Sequence, residues 1–364
     1  MTERDALAYG LDQIIARGGV SMYGARVGLR RAGWALALAI AVLSGLPIGS
    51  TAHTCAPDPQ VGVSGRLLLP RASGLALIEL PDRTTSSLPV LPVQGVVTSV
   101  ARSLDGSRLA VARFSRPADQ QIGNQDLLIL GPAGGQPLQV IPASQPGEVL
   151  GSPAWLPDGS LVFQRQTAAG VIAGTRVERL SADGSSAYVV ADQAFSPTAS
   201  SDGARVAFIR AEESDRLVIA DLATGIERVL VDNPSLTSLA FPRFSPDGAW
   251  IAFAAVGDPT AGMANRAPQP PSFKGRGSPA YTWFRSAVAH AHGVPWDIWV
   301  IRPDGSDLRR VTYFYDDDPS AAWSPDGQWL AVFSGEALHV VAVDGPANYC
   351  IAGEGGYGAI EWLP

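Results

Sequence analysis

Several residue types are scarce in this chain of 364 residues. Lysine occurs only at Lys274, and there are 3 methionines, 4 histidines and 2 cysteines. Two cysteines exclude a disulfide-dense scaffold. Of the histidines, only His290 and His292 lie close together, and a histidine pair without a third nearby ligand is a weak transition-metal signature. His339 sits in a strand pattern and reads as structural. The net charge of −7 and a pI near 5.1 exclude the broad basic surface that nucleic-acid binding requires. Catalytic signatures are missing too. There is no G-x-S-x-G elbow, Walker A loop, H-E-x-x-H pair or dinucleotide fingerprint. No catalytic residue, resident metal or cofactor is therefore assigned. No long amphipathic helical pattern follows residue 60. With 39 glycines and 29 prolines, this predicts an all-β chain rich in turns.

Residues 32–57 carry no charge, and Ala32 to Leu46 is almost continuously apolar. Arg26, Arg30 and Arg31 lie just before it. A basic region (1–31) followed by an apolar one (32–52) has the layout of an export signal. Ser50-Thr51-Ala52 offers small residues for cleavage, and an uncleaved membrane anchor is the alternative. Either way the globular part is expected outside the cytoplasm, touching the membrane only through this segment. In such a compartment Cys55 and Cys350 are expected to pair, against the alternative of two free thiols.

The rest of the chain is built on one repeated turn. Trp323 to Ser334 reads W-S-P-D-G-Q-W-L-A-V-F-S, and Phe244 to Ala254 reads F-S-P-D-G-A-W-I-A-F-A. Weaker copies begin at Ser103, Leu156 and Ser200. Proline presets the first corner, aspartate tolerates the second, and glycine takes the left-handed position. The turn aspartates Asp105, Asp158, Asp202, Asp247 and Asp326 are spaced by 53, 44, 45 and 79 residues. A unit near 45 residues fits a four-stranded propeller blade, with strands A to D in chain order. A second hairpin with its own glycine turn follows each copy.

At the N-terminal end the strands starting at Gly65, Leu75 and Ser87 read as B, C and D with no A before them. At the other end Ala359 to Pro364 resembles strand A at Pro153 to Pro157. The last strand is therefore expected to complete the first blade, giving six blades over 62–364 after a linker at 53–61.

S-P-D-G-x-W-I-A-F followed by D-I-W-V-x-x-x-D-G-x-x-x-R-R-V-T resembles the PD40, or WD40-like, repeat of the TolB-type β-propellers. The resemblance covers about 62–364. It implies an extracytoplasmic six-bladed propeller that works by binding protein. It leaves no room for the separate N-terminal α/β domain of TolB, so a TolB-specific partner is not carried over. Related propellers also precede prolyl-oligopeptidase-like hydrolases, but a Ser–His–Asp set of that kind is not expected here.

In such a fold the tight A–B and C–D turns share one face, and the B–C loops and D–A links share the other. The B–C loops vary in length, and in the fifth blade an insertion at 257–295 accounts for the 79-residue spacing. Variable loops on a rigid scaffold are where binding concentrates. Part of this insertion, Ala267 to Pro279, reads as a Pro/Gly-rich linker. The candidate partner face comprises Tyr281, Trp283, Phe284, His290 and His292 from the insertion. The link into the sixth blade adds Tyr313, Tyr315, Asp316, Asp317 and Asp318. Its aspartate run reads as a solvated turn, with a hard-cation site as the competing reading. Trp155, Trp323 and Trp362 recur at one strand-A position and, with Trp299, are expected in the core. Monomeric binding of a protein or peptide is the first functional reading. The alternatives are a metal-assisted carbohydrate lyase or hydrolase, and a structural envelope scaffold.

Overall fold

The computed structural model describes residues 55–72, 74–92, 95–116, 123–167, 174–212, 214–257 and 296–364. Among them the chain forms 24 β-strands and no α-helix. The first group is β1 (Gly65–Arg71), β2 (Gly74–Leu80) and β3 (Thr84–Pro89). The second is β4 (Val96–Arg102), β5 (Leu109–Ser115), β6 (Asn124–Gly131) and β7 (Gly134–Ile141). The third is β8 (Val149–Trp155), β9 (Leu161–Gln166), β10 (Thr175–Leu180) and β11 (Ala187–Asp192). Then come β12 (Ala194–Ala199), β13 (Arg205–Ala211), β14 (Asp215–Asp221) and β15 (Glu227–Val231). They are followed by β16 (Leu236–Phe244), β17 (Ile251–Gly257), β18 (Trp296–Ile301) and β19 (Arg309–Arg310). The last are β20 (Ser320–Trp323), β21 (Trp329–Phe333), β22 (Leu338–Ala342), β23 (Asn348–Ala352) and β24 (Glu361–Leu363).

Each group folds as an antiparallel meander. Four sheets have four strands, and the second and third groups are joined as one sheet of eight by a single parallel bridge, Gln125 to Val149. The first sheet runs β24–β1–β2–β3, with Arg66, Leu67 and Leu68 opposite Leu363, Trp362 and Glu361. The chain's last strand thus lies beside its first. The strand nearest the start of each group packs on the next: β4 on β8, β8 on β12, β12 on β16 and β16 on β20. β20 then packs on β24, and β24 packs back on β4.

The repeated turn has a specific wiring. The Ser245 hydroxyl donates to the Asp247 carboxylate, which accepts the Ala249 N–H at 3.0 Å. Ser245 Oγ in turn accepts the Trp250 N–H at 2.9 Å. Gly248 closes the turn with φ 68° and a 2.9 Å bond to the Ser245 carbonyl. Ser324 and Asp326 repeat the pattern, as do Ser200 with Asp202 and Ser103 with Asp105. In the copy where Leu156 replaces the serine, Ser160 donates to Asp158 instead, at 2.6 Å. These bonds hold the Asp105, Asp202 and Asp247 carboxylates below their usual range, with the hydroxyls of Ser103, Ser200 and Ser245 as the main cause.

The strands read as continuous apolar runs because both of their faces are covered. Six apolar clusters lie between consecutive groups. Neighbours on one strand serve different clusters. Phe163 faces the second group and Val162 the fourth. Phe333 joins the cluster shared with the first group, and Val332 the cluster shared with the fifth. Trp155 and Trp323 are buried and tie adjacent inner strands. Their indole N–H groups donate to the carbonyls of Ala101 and Arg243, at 3.2 and 2.9 Å. Trp362 donates to the Ser64 carbonyl at 3.3 Å, and Trp299 is buried in the core.

The C-terminal segment touches three groups at once. Gly358 has φ 104°, and a Cβ there would lie 1.8 Å from the Thr98 carbonyl oxygen, so only glycine fits. Its own carbonyl accepts the Ser320 hydroxyl at 2.7 Å, and the Ala359 carbonyl accepts the Val100 N–H at 3.2 Å. Cys55 and Cys350 form a disulfide with their Cα atoms 5.8 Å apart. The Asp58 carboxylate beside it accepts the Cys350 N–H at 2.7 Å.

Candidate functional site

The site is built where three connections meet on the face away from the S-P-D-G turns. The first is the link from β19 to β20, Val311 to Pro319. The second is the loop from β21 to β22, Ser334 to Ala337. The third is the link from β23 to β24, Gly353 to Ile360. Asp317 holds them together. Its carbonyl accepts the Gly335 N–H at 3.2 Å, and its carboxylate accepts the Tyr357 hydroxyl at 3.1 Å.

Asp297, at the start of β18, shapes the first link. Its carboxylate accepts the Thr312 hydroxyl at 2.9 Å and the Phe314 N–H at 2.7 Å. Arg310 pairs with its other oxygen. The same guanidinium lies 4.3 Å from the Tyr313 ring centre and 4.9 Å from that of Tyr315. Burial pushes the Asp297 carboxyl up, while Arg310 and Thr312 pull it back. The link's backbone is tied to β18 as well, since the Trp296 N–H donates to the Asp316 carbonyl at 3.0 Å. Phe314 packs on His339 with ring centres 4.5 Å apart, and His339 contacts Asn348 at 3.2 Å. Burial lowers the pKa of His339, consistent with a neutral structural ring. Tyr315 is left 44% exposed, with φ 57°.

Beyond Tyr315 the link turns acidic. Asp316 is 7% exposed, and its Oδ2 is buried with no hydrogen-bond partner. Asp318, at φ 49° before Pro319, likewise buries Oδ1 without a partner. Burial pushes the Asp316 carboxyl up to about 7, with Glu336, Asp297 and Asp317 adding to the rise and the Ser334 hydroxyl opposing it. Burial, with Asp317, pushes Asp318 up to about 6. The Tyr357 phenol is also raised, first by burial and then by Asp317.

The structure therefore brings Tyr313, Tyr315, Asp316, Asp317 and Asp318 onto one link. Tyr281, Trp283, Phe284, His290 and His292 lie outside the described residues. Among the described residues no group of three or more histidine, cysteine or acidic side chains is placed to hold a metal ion. Sequence reasoning missed Asp297, Arg310, Glu336 and Tyr357 as parts of the site. Asp297 had a usable signal, an acidic residue opening the otherwise apolar run D-I-W-V-I. On the opposite face an open cleft is lined by Arg205, Arg228, Arg302 and Asp304. There the cations have partners: Asp202 for Arg205, Asp307 for Arg302 and backbone carbonyls for Arg228.

No family model and no curated protein matches the chain. Solved structures do. TolB from Acinetobacter baumannii superposes with a TM-score of 0.56 over 92% of this chain and 73% of that one, at 17% identity. The TolB structure from Agrobacterium tumefaciens gives 0.54 over 83% of this chain and 100% of that one, at 15% identity. The chain has a TolB-like β-propeller fold. At such identities the likeness concerns architecture, so the TolB-like scaffold is shared while the residues of the link have to be read on their own.

Proposed function

We propose that this chain is an extracytoplasmic, non-catalytic propeller that binds a protein or peptide. Its surface for doing so is the face carrying the link from Tyr313 to Asp318. The scaffold is a ring of six blades, with β24 completing the first. The succession of inner-strand contacts that returns from β24 to β4 supports this, as do the six interface clusters. The basic and apolar N-terminal segments support export. The disulfide fits an oxidising compartment.

The observation that carries the binding assignment is the state of the link itself. An exposed Tyr315 stands beside Asp316 and Asp318, each of which buries one carboxylate oxygen without a partner. A protein that keeps such a costly arrangement, on a connection otherwise firmly wired to β18, keeps it for something outside itself. Aromatic residues with a polar tip, rimmed by charge, are contact residues of protein interfaces. Photo-cross-linking tests this. A cross-linking amino acid is placed at Tyr315 on one face and at Asp304 on the other, in the full chain in its native envelope. Adducts from position 315 and none from 304 are expected. Adducts from 304 alone, or equal yields from both, would put the partner elsewhere.

A further inference from the structure

Four acidic residues are buried among the described residues: Glu148, Glu178, Asp297 and Asp316. Three of them are matched by arginine. Arg165 pairs with Glu148 at 3.0 Å and with Glu178 at 2.9 Å, and Arg176 adds a 2.6 Å bond to Glu178. Arg310 pairs with Asp297. Asp316 is the exception, because no cation reaches it and Oδ2 has no donor at all. Asp318 repeats the defect two residues further along the link, with Oδ1 buried and unpaired. Asp317 and Glu336 add charge of the same sign, and both raise the cost of ionising Asp316. The Ser334 hydroxyl is the one group that favours its charged form. A buried carboxylate with no cation and one oxygen unpaired is costly, and this one sits on the proposed partner face.

We propose that Asp316 and Asp318, backed by Asp317 and Glu336, form a receptor for one guanidinium group, an arginine side chain presented by the bound protein or peptide. The inference rests on the partner reading above and names what that partner must carry. Guanidinium is favoured over ammonium for two reasons. Its planar fork offers several donors in fixed directions, which suits a pair of carboxylates two residues apart on one link. It is also more weakly hydrated, so it costs less to bring to a carboxylate as deep as Asp316. The chain uses the same chemistry internally at Asp297, where Arg310 is both the partner of a buried carboxylate and a stacking partner for Tyr313 and Tyr315.

The test uses the full chain with its disulfide intact and two pentapeptide amides, acetyl-GGRGG and the same peptide with citrulline in place of arginine. Citrulline keeps the shape and hydrogen-bonding of the side chain and removes the charge. Isothermal titration is expected to show the arginine peptide binding about tenfold or more tightly than the citrulline peptide. The preference is expected to vanish in the Asp316→Asn/Asp318→Asn double variant. Equal affinity for the two peptides in the unsubstituted protein would overturn the proposal, and that measurement needs no variant to fold. A preference that survives in the double variant would overturn it too. So would stabilisation by calcium chloride, absent in the double variant, without any arginine preference, since that would make the site a metal site. If cross-links from position 315 identify a partner while the two peptides bind alike, the partner reading stands and the guanidinium receptor falls. If the arginine preference holds but no adduct forms at 315, the receptor stands and the partner reading falls.

Discussion

Asp316→Asn should make the protein more stable, and by an amount that depends on pH. In the folded chain burial raises the carboxyl from 3.8 to about 7. Below the unfolded value both states hold the proton, and the residue costs nothing through ionisation. As pH rises above about 4 the unfolded chain releases its proton while the folded chain retains it, so stability is lost. The loss continues until the folded group also ionises near pH 7, and it is constant beyond that. Each tenfold change in proton affinity is worth about 1.4 kcal/mol, so the full penalty is on the order of 4 kcal/mol. Asparagine does not titrate and escapes it. The charged and titratable groups facing Asp316 are Glu336, Asp297 with its partner Arg310, and Asp317. The assay is urea unfolding of both proteins at pH 4.5, 5.5, 6.5 and 7.5. Turn aspartates such as Asp105 and Asp183, held down to about 2 by serine hydroxyls, push the pH dependence the opposite way. They are common to both proteins and cancel in the difference. The difference in unfolding free energy should grow in favour of the variant across this window and flatten above about pH 7. A difference that stays constant, or that favours the unsubstituted protein at pH 7.5, would refute the reasoning.

Three further outcomes are expected. Phe333→Ala, at a fully buried position between the last and first sheets, should cost about 3–5 kcal/mol in urea unfolding, and a change under about 1 kcal/mol would contradict the packing described. Gly358→Ala forces a Cβ against the Thr98 carbonyl at a left-handed φ and should destabilise by about 1–3 kcal/mol, read as a lower melting temperature; an unchanged melt would mean that the segment does not approach β4. Reducing Cys55–Cys350, or replacing Cys350 with serine, opens a loop with a sequence separation of 295 and should cost on the order of 5–6 kcal/mol by the chain-entropy model. A calorimetric scan with and without reductant checks it, and coincident scans would argue against a bridge in solution.

Much of the architecture was legible because its cause is local. The repeated turn needs an aspartate followed by a left-handed glycine, with proline before them in three of the five copies, and Gly248 and Gly327 adopt that conformation. The apolar runs after each turn were legible for the same reason, since Val162 and Phe163 both need apolar neighbours even though they face different sheets. The wiring between turn serine and turn aspartate was not read, although Leu156 in place of serine marks the one copy that differs.

The site was legible only in part. Tyr313 to Asp318 stood out as an aromatic and acidic link. What the composition of a link cannot show is depth, and the spacing of Asp316, Asp317 and Asp318 reads equally well as a solvated turn. In the structure Asp317 reaches Tyr357 and Gly335, while Asp316 and Asp318 turn inward. Glu336, 20 residues from Asp316, is brought near by the meander of the last sheet, and Tyr357, 41 residues away, by the link that leads from the last sheet into the first. No local pattern signals such a meeting.

That meeting depends on the final strand. β24 pairs with β1, buries Trp362 and Leu363, and anchors Arg243 through Glu361. Losing the two buried side chains alone removes on the order of 5 kcal/mol or more, comparable with the whole stability of many domains. The most direct measurement is differential scanning calorimetry of the full chain beside a chain ending at Ile360. The shortened protein should melt about 10 °C or more lower, or lose its single cooperative transition. An unchanged midpoint and an equally sharp transition would contradict a ring held shut by the C-terminal strand, and with it the face on which the acidic link is assembled.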